Sequence, residues 1–163
     1  MKDNFIHLKE RDTLKLGIKT EDGTDTGEFL EFDFEDIELP LRYQEMVEQD
    51  KKNLQWIRNQ MLIIDKRQDV KGKKLMSKNE EDKIKALNDF FKKEEEIFNM
   101  FLGEGGVKKL LNGKKFGWTS IQEIIELIEA YILPHFDFSI DKVSKKIKEK
   151  YKISEDSEKE VLK

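Results

Sequence analysis

Residues 101–113, FLGEGGVKKLLNG, hold four glycines and two lysines, and Lys114 and Lys115 follow. Glycine and lysine together suggest a loop that cradles a phosphate. A Walker-type loop needs G-x-x-x-x-G-K-[ST] between a strand and a helix. Its backbone N–H groups and lysine then meet the phosphates, and a hydroxyl holds the metal. Here Gly113-Lys114 is followed by Lys115, Lys108 stands where the first glycine belongs, and a helical stripe precedes the stretch. The segment therefore reads as a helix break: Gly103 after one helix, a short turn of helix along Val107, Leu110 and Leu111, and Gly113 as its stop.

The remaining chemistry is equally sparse. There are no cysteines, which removes disulfides, thiolate metal sites and Cys nucleophiles and fits a reducing compartment. The two histidines, His7 and His135, lie far apart, and neither has a ligand partner at helical metal spacing. His135 and Asp137 form a candidate hydrogen-bonded pair at a helix end. No serine occupies a G-x-S-x-G elbow. With 35 acidic residues some carboxylates must lie close by chance, so paired carboxylates alone indicate no glycosidase-type chemistry. The expectation is a protein without catalytic, metal or cofactor-binding residues.

The elements around these residues are legible from periodicity. Leu14, Leu16 and Ile18 alternate with Lys15 and Lys19; Leu30, Phe32 and Phe34 alternate with Glu31, Asp33 and Glu35. Period two predicts two strands joined through EDGTDTG as a hairpin. A two-residue Asp22-Gly23 turn would oppose Leu16 to Phe29 and split the apolar set between faces. An odd-length loop, or a bulge at Gly17 or Gly27, restores it.

Pro40 then opens a helix over about residues 41–68, with Tyr43, Val47, Leu54, Ile57, Met61 and Ile64 in a stripe that Asp50 interrupts. Ser77 with Glu80 forms a capping box for a second helix, which carries Ile84, Leu87, Phe91, Phe98 and Phe101, with Phe90 and Ile97 beside them, and ends near Leu102. Thr119 or Ser120 caps a helix of closely spaced isoleucines that Pro134 ends, and Ser139 begins a last one through Tyr151. The fold class is mainly α (α+β). An N-terminal hairpin segment (1–39) precedes a domain of four to five helices (40–152) and a flexible tail (153–163).

Charge is unevenly placed. The net charge is −4, yet residues 21–38 carry nine acids and no base. An acidic front with a mildly basic remainder argues against a dedicated nucleic-acid binder and allows head-to-tail or partner contacts. KRQDVKGKK (66–74) is basic, but Glu123, Glu126 and Glu129 on the Ile-rich helix would repel phosphates. No apolar run approaches the roughly 18 residues of a membrane span, and MKDNFIHLKERD lacks a signal-peptide core, which predicts a soluble intracellular protein. Recognition of other proteins is what remains. The aromatic cluster of Phe90, Phe91, Phe98 and Phe101, with Ile97 and Leu102, is first a core and second a candidate groove wall. The hairpin, with Phe29, Phe32 and Phe34, offers strand addition.

Two stretches resemble a known family. LKLGIKTEDGTDTGEFLEFDFEDIELPLRYQEM (14–46) is similar to the N-terminal hairpin and Pro-led helix of small tail proteins from phages and prophages of Gram-positive bacteria. EEEIFNMFLGEGGVKKLLNG running into IIELIEAYILPHF (94–136) resembles the pattern of phage tail assembly chaperones. Lys114 and Lys115 depart from it, standing where acidic or Asn-rich residues are expected. The resemblance implies a non-catalytic assembly factor in the host cytoplasm, absent from the mature particle and without a cofactor. It would bind the tape measure protein, help recruit tail tube protein and associate with copies of itself, with no nucleic-acid or membrane partner. A structural tail or head–tail joining protein is the alternative of the same class, and a small DNA-binding regulator the alternative of another.

Overall fold

The structure, a computed structural model, describes residues 4–10, 13–136 and 140–151. Strands β1 (Thr13–Lys19) and β2 (Asp25–Asp33) form an antiparallel hairpin. Leu14 pairs with Phe32 and Leu16 with Leu30, so the apolar residues share one face. The parity comes from the loop. Lys19 pairs with Asp25, leaving residues 20–24, an odd number, to turn the chain. Thr20 N–H donates to the Thr24 carbonyl at 2.8 Å, and Gly23 sits at φ 88°. The Asp22 carboxylate accepts from the Thr20 hydroxyl and from Thr24 N–H, which holds its carboxyl below the usual range. The register also shifts between Gly17 and Lys19, opposite Gly27 at φ 76°. Both proposed devices are present, and the loop alone sets which face is apolar, because the bulge adds an even number of residues.

Leu30 and Phe32 are buried, and Leu14, Leu16 and Ile18 pack against them. Phe34 does not share that fate. The strand ends at Asp33, whose carboxylate accepts Glu35 N–H at 2.9 Å and bends the chain, so Phe34 stays about half exposed beside the Phe136 ring.

Helix α1 runs Leu39–Asp65 with Pro40 in its first turn. Asp36 prepares the entry, accepting Glu38 N–H at 3.1 Å and pairing with Arg42, whose guanidinium holds the Asp36 carboxyl below the usual range. The helix ends at Asp65, a few residues before the expected end near residue 68, for a tertiary reason. Asn79 donates to the carbonyls of Ile64 and Arg67 at 3.1 and 3.2 Å and so satisfies the helix end from outside. Helix α2 runs Lys78–Leu102, and the Ser77 hydroxyl accepts Glu80 N–H at 3.2 Å. Glu80 and Glu81 suit the positive end of the helix dipole. Gly103 at φ 93° ends it. Cross-helix contacts run in reverse order, Tyr43 to Phe101, Asn53 to Glu94 and Asp65 to Lys83, so α1 and α2 are an antiparallel pair.

Helix α3 (Gly106–Leu111) follows at once. The Asn99 carboxamide oxygen accepts Val107 N–H at 2.9 Å, replacing the cap that Gly105 has no side chain to supply. A Cβ at Gly106 would lie 2.6 Å from the Leu102 Cβ, so only glycine allows this approach. Helix α4 is Trp118–Leu127, two or three residues earlier than expected. Neither Thr119 nor Ser120 is the N-cap: Gly117 is, and the Ser120 hydroxyl accepts Gly117 N–H at 3.1 Å from inside the first turn. The helix widens to a π turn at Ile128–Ile132 and tightens to a 3-10 turn at Leu133–His135. Pro134 lacks the N–H that would continue the α ladder there. Helix α5 is Ile140–Tyr151. Ser139, Asp137 and the tail 153–163 lie outside the described residues.

One core joins the hairpin to the helices. Phe98 lies at its centre, and Phe101 meets Phe32 at 5.6 Å and Tyr43 at 5.3 Å between ring centroids. Ile121, Ile124, Ile128 and Ile132 close the far side. Among the described residues no helix is long and apolar enough to cross a membrane.

Candidate functional site

The nine residues read as partner contacts divide sharply. Phe90, Ile97, Phe98, Phe101, Leu102 and Phe32 are buried, Phe90 and Phe98 completely. Phe91 is partly buried on Phe90 and Phe116, with ring centroids at 5.2 and 5.8 Å. A buried ring cannot touch a partner unless the core opens, so the Phe-rich face of α2 is core and no groove wall in this conformation. Phe29 and Phe34 remain accessible.

The glycine-rich stretch serves helix ends. Gly103, Gly105 and Gly113 all take positive φ, at the C-terminus of α2, the start of α3 and its end. Its Lys109 faces the hairpin, donating to the Phe29 carbonyl at 3.2 Å with its ammonium 5.7 Å from the Phe29 ring centroid. Lys15 approaches the same ring at 5.6 Å. Two cations against one ring hold Phe29, which stays about half exposed.

Exposed apolar side chains lie at both ends of the α1–α2 pair, and others, Trp56, Trp118 and Tyr131 among them, lie elsewhere on the surface. At the front, Phe29, Phe34, Ile37 and Leu41 stand among the acids of residues 21–38. At the opposite tip, Leu62, Ile63, Val70, Leu75, Met76 and Ile84 surround the turn between α1 and α2. That turn is basic: residues 66–78 hold six bases and one acid. Asp69 accepts a hydrogen bond from the Ser77 hydroxyl, then backbone N–H from Asn79 and Val70 at 3.1 and 2.8 Å, which together hold its carboxyl below the usual range. Arg67 and Lys78 pair with Asp82, and Lys74 with Glu81.

A polar group also sits inside. Glu94 is fully buried on α2, where Asn53 donates to its Oε1 at 2.8 Å and to the Phe90 carbonyl at 3.1 Å. Glu94 Oε2 and Asp50 Oδ1 are buried and meet no donor. Two adjacent carboxyls that both lack a donor are satisfied together by one proton between them. Burial first, then the Asp50 carboxyl, pushes Glu94 up to about 8 against the opposing hydrogen bond from Asn53. Asp50 also lines a cleft of about 170 Å³ with Tyr43, Met46, Val47, Phe98 and Glu129. Burial and then the Glu129 charge raise the Tyr43 phenol. The pair left a trace in the sequence. Asp50 breaks the α1 stripe, and Glu94 lies four residues from both Phe90 and Phe98, on the buried side of α2. Only the three-dimensional pairing of the helices joins the two.

Among the described residues no group of three or more His, Cys, Asp or Glu is placed to hold a metal ion. No protein-family model matches the chain, and neither a curated protein nor a solved structure matches it.

Proposed function

We propose that the chain is a non-catalytic binding protein that acts as a phage tail assembly chaperone. It keeps the tape measure protein in solution and helps recruit tail tube subunits around it. One observation carries the reading: a chain that is 40% charged keeps apolar side chains exposed at both ends of a well-packed core. Such surfaces suit a long, apolar helical client. They cover its stripes while the charges keep the complex dispersed. The stretches that resemble the family follow the order of the elements. Residues 14–46 span the hairpin and the Pro-led start of α1; residues 94–136 span the end of α2 through the 3-10 turn.

The test is a tagged pull-down from host cells during tail production, with bound proteins identified by mass spectrometry. Recovery of a very long helical tail protein, lost in Phe29→Ala/Phe34→Ala, supports the reading. Recovery of the chain alone sinks it. Presence of the chain in purified particles favours the structural tail protein instead. The basic turn at 66–78 favours a DNA-binding reading, for which a salt-sensitive gel shift is the test. The exposed Glu123 and Glu126 on α4 and Glu129 in the π turn count against that helix as the contact.

A further inference from the structure

The sheet has an open side. Lys109 of α3 bonds the Phe29 carbonyl of β2, but β1 pairs with β2 alone among the described residues. Burial falls off in rows across the two strands. Phe32 and Leu30 of β2 are buried, whereas their β1 partners Leu14 and Leu16 are only partly so. Just before β1 the chain carries Phe5-Ile6-His7-Leu8. Residues 4–10 belong to no strand or helix, and Ile6 and Leu8 are 89% and 88% exposed. Folding this arm back antiparallel to β1 would continue the rows. Five residues, an odd number, separate Leu8 from Leu14, so opposing these two also opposes Ile6 to Leu16 and Phe5 to Gly17. The core face would then run Leu8–Leu14–Phe32 and Ile6–Leu16–Leu30 across three strands. On the outer face Phe5 would meet Gly17, whose partner on β2 is Phe29. A Cβ at Gly17 would find nothing within 4 Å, which leaves open space that a ring can cover. A slip of one residue would set Leu8 against Lys15 and Ile6 against Gly17, on the wrong face for both.

We propose that residues 4–8 close on the outer edge of β1 as a third strand, with Leu8 beside Leu14 and Ile6 beside Leu16. The arm forms no strand in this structure, so the closed sheet is a second arrangement of the same chain. Closing gives backbone partners to an edge that otherwise invites an extended segment of another protein. The arm is thus a placeholder, and a partner that adds a strand to β1 must first displace it. This does not rest on the chaperone reading, because it is measured with the purified chain alone.

The experiment is amide exchange followed by NMR on the full chain and on Ile6→Asp/Leu8→Asp. Both substituted side chains are exposed in this structure, so the variant should fold. Alternate amides of β1 bond to β2, and those between them point outward. The outward amides should exchange at least about tenfold more slowly in the natural chain than in the variant, while the inward ones change little. Disulfide trapping then fixes the register, since the chain has no cysteine of its own. Leu8→Cys/Leu14→Cys should close within one chain. Leu8→Cys/Lys15→Cys, whose side chains would face opposite sides of the sheet, should close at least about tenfold more slowly. Outward amides that exchange equally fast in both proteins overturn the proposal, as do two cysteine pairs that close at the same rate. Protection that rises with protein concentration, or disulfides that form between chains, also overturns it, because the arm then lies on a second copy and not on its own β1.

Discussion

Glu94→Gln should remove a pH dependence of stability that the natural chain must show. The Glu94 carboxyl is fully buried and pushed up to about 8, mainly by burial and then by Asp50. Its folded value lies above its unfolded one, so the folded state keeps a proton that the unfolded chain releases. That contribution is complete below about 4.5, falls as pH rises and is gone above about 8. Each pH unit inside the window is worth at most about 1.4 kcal/mol, so the loss from pH 5.5 to 7.5 is at most about 2.7 kcal/mol. The carboxyls of Asp22, Asp36, Asp69 and Asp82 are held low, act in the opposite sense and lose their contribution only in acid, below this range. Glutamine keeps the oxygen that accepts from Asn53 and supplies an N–H to Asp50 at every pH. Urea denaturation at pH 5.5, 6.5 and 7.5 should show the natural chain losing stability and Glu94→Gln nearly flat. At pH 7.5 the variant should be the more stable of the two. A natural chain with no slope, or a variant with the same slope, refutes the shared proton.

Phe98→Ala should cost about 3–5 kcal/mol in chemical denaturation, whereas Phe29→Ala, on a half-exposed ring, should cost less than about 1 kcal/mol. Ser77→Ala should cost about 1–2 kcal/mol, because the hydroxyl both caps α2 and donates to Asp69, and amide exchange should quicken at Glu80. Gly106→Ala should lower stability by about 1–3 kcal/mol, since its Cβ would meet the Leu102 Cβ at 2.6 Å; a thermal melt no lower than that of the natural chain would refute the close approach.

The local elements were legible because their signals are local. Alternation placed both strands, and the mismatch of a two-residue turn pointed to the odd loop. Ser77 and Gly103 marked the ends of α2. What escaped depended on partners distant in sequence. Asn79 ends α1 by reaching back to Ile64 and Arg67, and no residue near Asp65 announces it. Gly117 caps α4 without a capping side chain, so Thr119 and Ser120 drew the reading inward. The apolar stripe of α2 could not reveal how deeply it is buried, because core helices and groove walls share one pattern. Only the packing of α1, α4 and the hairpin around Phe98 decides between them.

That burial also limits where any partner can bind. Presenting Phe90, Phe98 and Phe101 would require their burial to be undone first, at about 1.5–3 kcal/mol for each ring. The total is comparable with the about 5–15 kcal/mol that holds a typical domain together. A client using those rings would therefore bind an opened chain, and destabilising the core would strengthen its capture. A client using Phe29, Phe34, Ile37 or Leu41 meets no such cost, and its capture should follow those side chains while core stability leaves it unchanged. Phe98→Ala and Phe29→Ala thus separate the two modes. If Phe98→Ala raises capture, the aromatic helix is a latent binding face; if Phe29→Ala alone lowers it, recognition belongs to the front.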